Sequence, residues 1–152
     1  MTATATTSTI VPDFETDGSA GRKLAVICSQ GGLDMAYPGL ILANAALGEG
    51  IETHVFFTFA GLDMITSRTM GDLQLSTAQD TVRLQRSIAE VGAPEIPEFV
   101  EQVVASGGHL WACRMSTDMN HLTAEELFDG VEGIISASDF IDKTDGAQYI
   151  FI

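Results

Sequence analysis

The residues of this chain best suited to covalent chemistry are its two cysteines, Cys28 and Cys113, each at the end of an apolar run (LAVIC and HLWAC). Cys113 is followed by Arg114, and Ser116, Thr117 and Asp118 can open a helical turn whose N–H groups face the sulfur. A cation and a helix N-terminus both favour thiolate. Lowering a thiol pKa from ~8.5 to ~7 raises thiolate at neutral pH from a few per cent to about half. On that reading Cys113 is a nucleophile or sulfur acceptor. The other reading, that a cysteine ending a buried strand is a small core hydrophobe, stays open. Cys28 has the same placement without a cation beside it, and reads as a buried structural thiol or an accessory, resolving one.

Gly31 and Gly32 follow Cys28 and precede a helix, so they form either an anion or small-ligand cradle or a tight strand-to-helix turn. The pattern is neither GxGxxG nor a P-loop. His54 lies within an apolar strand, His109 begins one, and His121 sits in a loop that could fold over Cys113. Three scattered histidines make no metal site, and no cofactor motif is present. Met35, Met64, Met70, Met115 and Met119 follow strand ends, where they either line an apolar pocket or pack.

The elements that must position these groups follow from periodicity. Leu24 to Ile27 is a continuous apolar run, as in a strand buried on both faces of a parallel sheet. Asp34 is placed to cap a helix beginning around Ala36 to Pro38, and Gly48 to Gly50 end it. Ile51 to Phe59 is a second strand, and Ala60 to Asp63 starts a short helix. An irregular stretch, Thr69 to Gln79, leads to helices over Asp80–Val91 and Ile96–Ser106, the latter with Pro97 in its first turn. His109 to Cys113 is a third strand, and Thr123-Ala-Glu-Glu126 is a capping box. Gly133–Ala137, Ser138–Lys143 and Ala147–Ile152 read as strand, helix and strand. Alternation of this kind specifies an α/β fold: three layers, α/β/α, around a five-stranded, mainly parallel sheet of flavodoxin-like appearance. Residues 1–20, rich in Thr, Ala and acids, read as a flexible tail, and 21–152 as a single domain.

Composition narrows the function. The chain has 21 acidic against 7 basic residues, a net charge of −14, and only two lysines, Lys23 and Lys143. Such a surface repels phosphate backbones and anionic lipids, which excludes nucleic acid and membrane surfaces as expected partners. Two cysteines without a CxxC pair are too few for a disulfide framework. With no secretory leader pattern and no run of ~18 apolar residues, the expected location is cytoplasmic. The apolar strands and helices are generous for 152 residues and predict a homo-oligomer.

The segments Cys28–Asn44, Phe56–Asp63 and Ala112–Met119, with Gly130-Val-Glu132, resemble the DsrE/DsrF-like family, in particular its branch labelled DsrE-like or peroxiredoxin-like. The resemblance spans about residues 22–152. It implies an α/β/α subunit that oligomerises and works in sulfur transfer. The cysteine of the third-strand motif, here Cys113, would take a sulfane sulfur as persulfide and hand it to a partner, so the expected partners are sulfur donor and acceptor proteins. Two features depart from that branch. The segment Leu73 to Val91 is polar and charged where relatives carry an apolar, sometimes membrane-associating stretch, and no peroxide-site Pro and Thr precede either cysteine. The alternative function is a non-catalytic module that holds a nucleotide, flavin or anion at Gly31-Gly32, or a structural subunit of a sulfur relay.

Overall fold

A computed structural model describes residues 21–152; the expected tail, 1–20, lies outside the described residues. Five strands, β1 (Lys23–Cys28), β2 (Glu52–Phe57), β3 (His109–Cys113), β4 (Val131–Ile135) and β5 (Gln148–Phe151), pair in the order β4-β3-β2-β1-β5. Every pairing is parallel. The helices are α1 (Leu33–Gly48), α2 (Ala78–Glu90), α3 (Ile96–Ala105), α4 (Arg114–Met119) and α5 (Ala137–Lys143), with 3-10 turns over Phe59–Met64 and Ala124–Glu126.

The handedness of parallel crossovers decides which face each helix covers. From β1 to β4 the chain steps in one direction across the sheet, so its connections share one face. There Leu40 of α1 and Val100 and Val103 of α3, all 0% exposed, pack on Val26, Val55, Phe57 and Leu110. After β4 the chain returns to the far side of β1, and the same handedness sends α5 over the opposite face. That second core is small: Phe140 of α5 covers Ala25, Phe56, Trp111 and Cys113, with the Phe140 and Phe56 rings stacked 4.6 Å apart. The three expected layers are present, and the sheet is wholly rather than mainly parallel.

Helix starts differ most from expectation. α1 begins at Leu33, three residues before Ala36, with Gly32 rather than Asp34 as its N-cap. The Gly32 carbonyl accepts from the N–H groups of Met35 and Ala36 at 3.0 Å each. Asp34 instead stands in the first turn, where a carboxylate suits the helix dipole. Pro38 therefore lies inside the helix, and the carbonyl four residues before it loses its helical donor. α2 starts at Ala78 because Thr77 caps it: its hydroxyl oxygen accepts from the Asp80 N–H at 3.1 Å. Ser136 caps α5 in the same way, with the Asp139 N–H donating at 3.0 Å and the Asp139 carboxylate accepting from the Ser136 N–H at 3.1 Å. At Thr123 the carboxylate of Glu126 accepts from the Thr123 N–H at 2.8 Å, but the box opens only a three-residue 3-10 turn.

Candidate functional site

Cys113 ends β3, and the two strands that meet there send their chains opposite ways. The segment after β3 runs over the face that α1 and α3 cover, where Leu122, Leu127 and Phe128 join that core; the segment after β4 runs to α5 on the other. Adjacent strands whose continuations diverge open a crevice at the carboxyl edge, the usual ligand position of open α/β sheets. Cys113 pairs in register with Ile135, the last residue of β4, so it lies at that edge, with its side chain packed in the smaller core beside Phe56, Trp111 and Phe140.

The thiol is 7% exposed and is the N-cap residue of α4. Burial alone raises its pKa, but hydrogen bonding wins: the Ser116 and Thr58 hydroxyls and the backbone N–H groups of Ser116 and Met115 hold it below the ordinary thiol value. The resting sulfur makes no regular cap bond to α4, so these donors matter most for the thiolate form. Ser116 is itself tightly held. Its Oγ lies 3.1 Å from Thr58 Oγ1 and accepts from the Phe59 N–H at 2.8 Å, and its carbonyl accepts from Asn120 Nδ2 at 2.8 Å. Phe59 pays no part in the core; it adopts φ of 48°, unusual for a bulky residue, and its ring is half exposed.

Arg114 does not reach the sulfur in this arrangement. Its guanidinium donates to the Ile134 carbonyl at 2.8 Å, and its charge helps hold the Asp139 carboxyl below its ordinary value, after the larger effect of the bonds from Ser136. It bridges the crevice from α4 to β4. His121 is exposed, in the left-handed region at φ 53°. Met64 and Met70 are core residues, whereas Met115 and Met119 of α4 are exposed beside the site.

Cys28 has a different environment. It ends β1 at the same edge as Cys113 but belongs to the other core, among Val26, Leu33 and Leu40. It is 1% exposed, and burial pushes its pKa up to about 12. The two thiols sit on opposite faces of the sheet with β2 between their strands. Two strand spacings, about 9.6 Å, exceed the ~4.4–6.8 Å Cα separation of a disulfide. Both cysteines are free. As a resolving thiol for Cys113, Cys28 is out of reach in this fold.

Gly31 and Gly32 make close contacts rather than an anion cradle. A Cβ on Gly31 would meet the Ala60 carbonyl oxygen and, at 2.9 Å, the Asp63 carboxylate; one on Gly32 would lie 2.8 Å from the Asp34 carboxylate. The Leu33 N–H, first of the helix donors, is taken by the Gln74 carbonyl at 3.3 Å. The adjoining cleft, about 720 Å³ between the start of α1 and α2, is lined by Asp34 and Asp80, and its Arg83 is paired with Asp80 at 2.9 Å. Carboxylates at the loop repel the phosphate groups that a nucleotide or flavin would bring. Among the described residues no group of His, Cys, Asp and Glu could hold a metal ion.

Both the fold and the sequence have known relatives. The model of the DsrE/DsrF/DrsH-like family matches residues 20–87 and 69–151, and the chain belongs to that family. It is 30% identical over 156 residues to the sulfur carrier protein DsrE2 of Allochromatium vinosum, an alignment covering 85% of this chain and 98% of that protein. Two solved structures share the fold. MTH1491 of Methanobacterium thermoautotrophicum, a protein of unknown function, superposes with a TM-score of 0.62 at 13% identity, and the ychN protein of E. coli with 0.60 at 15%; each covers 86% of this chain and 99% of its own. No helix among the described residues is long and apolar enough to cross a membrane.

Thr58 and Phe59 are the site residues that sequence reasoning missed. Phe57 pairs with Ala112, so the next residue along β2, Thr58, falls beside Cys113. Knowing that β2 and β3 are neighbours would have found it.

Proposed function

We propose that this protein is a cytoplasmic sulfur carrier that takes sulfane sulfur on Cys113 as a persulfide and passes it to a partner protein's thiol. The observation that carries this reading is the contrast between the thiols: Cys113 caps α4 with the Ser116 and Thr58 hydroxyls at hand and has its pKa lowered, while burial raises that of Cys28 to about 12. Kinship with a sulfur carrier supports a role in sulfur relay. In loading, the Cys113 thiolate attacks the outer sulfur of a donor persulfide; a new S–S bond forms, the donor's S–S bond breaks, and the donor leaves as thiolate. Delivery is the same exchange with an acceptor thiolate, so no external oxidant or reductant is needed. Arg114 is assigned to bracing the crevice, Cys28 to packing, and Gly31 and Gly32 to the close approach of strand and helix. Two free thiols and no disulfide suit a reducing compartment. Assembly into a homo-oligomer fits the exposed Ile141, Tyr149 and Phe151, and a monomer mass by light scattering would count against it.

Intact mass spectrometry after incubation with polysulfide tests the carrier reading. Wild-type protein and Cys28→Ser should gain the mass of a sulfur atom, and Cys113→Ser should not. Equal loading of both single variants would overturn it.

A further inference from the structure

Ser116 and Thr58 carry two hydroxyl protons, and their geometry restricts where those protons point. Ser116 Oγ accepts from the Phe59 N–H at 2.8 Å and lies 3.1 Å from Thr58 Oγ1. Among the described residues neither hydroxyl has another oxygen or nitrogen acceptor. Their mutual bond uses one proton. If Thr58 donates, Ser116 turns its proton out of the pair; if Ser116 donates, Thr58 does. In both cases one O–H remains, and the pair stands beside Cys113: Ser116 is the third residue of α4, the helix that Cys113 caps, and Thr58 follows Phe57, whose partner in β3 is Ala112. Ser116 has no exposed surface, and its position is fixed on three sides by Phe59, Thr58 and Asn120.

We propose that Ser116, with Thr58 as its proton partner, donates to the Cys113 sulfur as that sulfur becomes the leaving thiolate, and so speeds release of the carried sulfur more than its uptake. The inference rests on the persulfide reading of Cys113. In delivery the acceptor thiolate bonds to the outer sulfur, the bond between the two sulfurs of the persulfide breaks, and its electron pair stays on Cys113 Sγ. The outer sulfur must lie towards solvent for a partner to reach it, away from the fully buried Ser116 hydroxyl. The donor therefore acts on the inner sulfur, which is the leaving group. Stabilising a thiolate makes it a better leaving group but a weaker attacker, so the benefit to uptake is partly cancelled and the benefit to release is not.

The test uses full-length protein loaded with polysulfide and then given cyanide, which takes the outer sulfur as thiocyanate and frees Cys113. Thiocyanate formation gives the release rate, and the pH profile of Cys113 alkylation in unloaded protein gives its thiol pKa. Ser116→Ala should release about three- to tenfold more slowly and shift the alkylation profile to higher pH, the effect of one charge-assisted hydrogen bond. Ser116→Thr, which keeps the hydroxyl, should restore both. Thr58→Val removes the hydroxyl that Ser116 pairs with and should slow release and raise the alkylation profile less than Ser116→Ala does. A Ser116→Ala protein with wild-type release and profile overturns the proposal. So does a Thr58→Val effect as large as that of Ser116→Ala; should Ser116→Ala fail to fold, a Ser116→Thr protein with slow release and a raised profile overturns it instead. If wild-type Cys113 takes up no sulfur, it is the carrier reading that fails, and the alkylation profiles still decide whether Ser116 donates.

Discussion

The indole N–H of Trp111 donates to Nδ1 of His54 at 3.1 Å, which leaves His54 Nε2 to donate to the Glu52 carboxylate at 2.8 Å. Two bonds thus fix one neutral tautomer of a 5% exposed histidine. Protonation would place a hydrogen on Nδ1 and break the bond from Trp111.

A pH dependence follows. Burial lowers the His54 pKa below its ordinary 6.5, and repulsion from His109 and Lys23 adds to this, against the opposing pull of Glu52. The unfolded chain therefore binds the proton first, and stability present above pH 6.5 is lost as the pH falls below it. Urea midpoints should be flat from pH 8 to about 7 and decline below ~6.5. In His54→Gln that decline should be shallower. Trp111 is the one tryptophan, so its fluorescence reports the transition directly. An unchanged slope in the variant would refute the assignment.

The thiols should separate kinetically. At pH 7 an alkylating reagent should modify Cys113 in folded protein and leave Cys28 untouched until denaturant is added, because a thiol with a pKa of about 12 supplies almost no thiolate. Peptide mapping of the labelled site checks this, and early labelling of Cys28 would contradict it.

Gly39 of α1 and Cys28 are coupled by contact. A Cβ on Gly39 would stand 2.8 Å from Cys28 Sγ. Gly39→Ala should destabilise by about 1–3 kcal/mol through overpacking, despite alanine's better helix propensity. Cys28→Ala removes the obstructing sulfur, so the double variant should recover part of the loss. A double-mutant cycle that closes additively would show that the two positions do not interact.

Phe140 is the fully buried anchor of α5, at 2% exposed against Phe56. Phe140→Ala should cost about 3–5 kcal/mol, read as a lowered urea midpoint. A loss under ~1 kcal/mol would mean that α5 is held mainly by other contacts.

Much of this was legible in the sequence, and the rest failed for identifiable reasons. β3 ends where it was expected, because Gly107-Gly108 releases the chain before it and Cys113 closes an unbroken apolar run. The start of α1 was misplaced because Asp34 and Pro38 are both start signals, while the true cap, Gly32, works through its carbonyl and leaves no side-chain signature. Cys113 stood out by its strand-end position and the residues after it. The face each thiol occupies did not, since alternation orders residues within a strand but not between strands. Arg114 looked like the cation for the sulfur because adjacency in sequence is visible, whereas its carbonyl partner at Ile134 is not.

The uneven cover of the sheet also sets the order in which the molecule opens. One face is held by α1 and α3 over many buried side chains, whereas α5 is seven residues long and is anchored chiefly by Phe140, by Thr144 bonded to Tyr149 at 2.6 Å, and by Lys143 over Trp111 at 4.7 Å. In amide hydrogen exchange the backbone of α5 should lose protection before that of α1 and α3, and β1 and β2 should keep theirs longer still. Excursions of α5 would bare Trp111 and the inner wall beside Cys113 while the larger core stays closed, so Cys113 borders a part of the fold that opens without global unfolding.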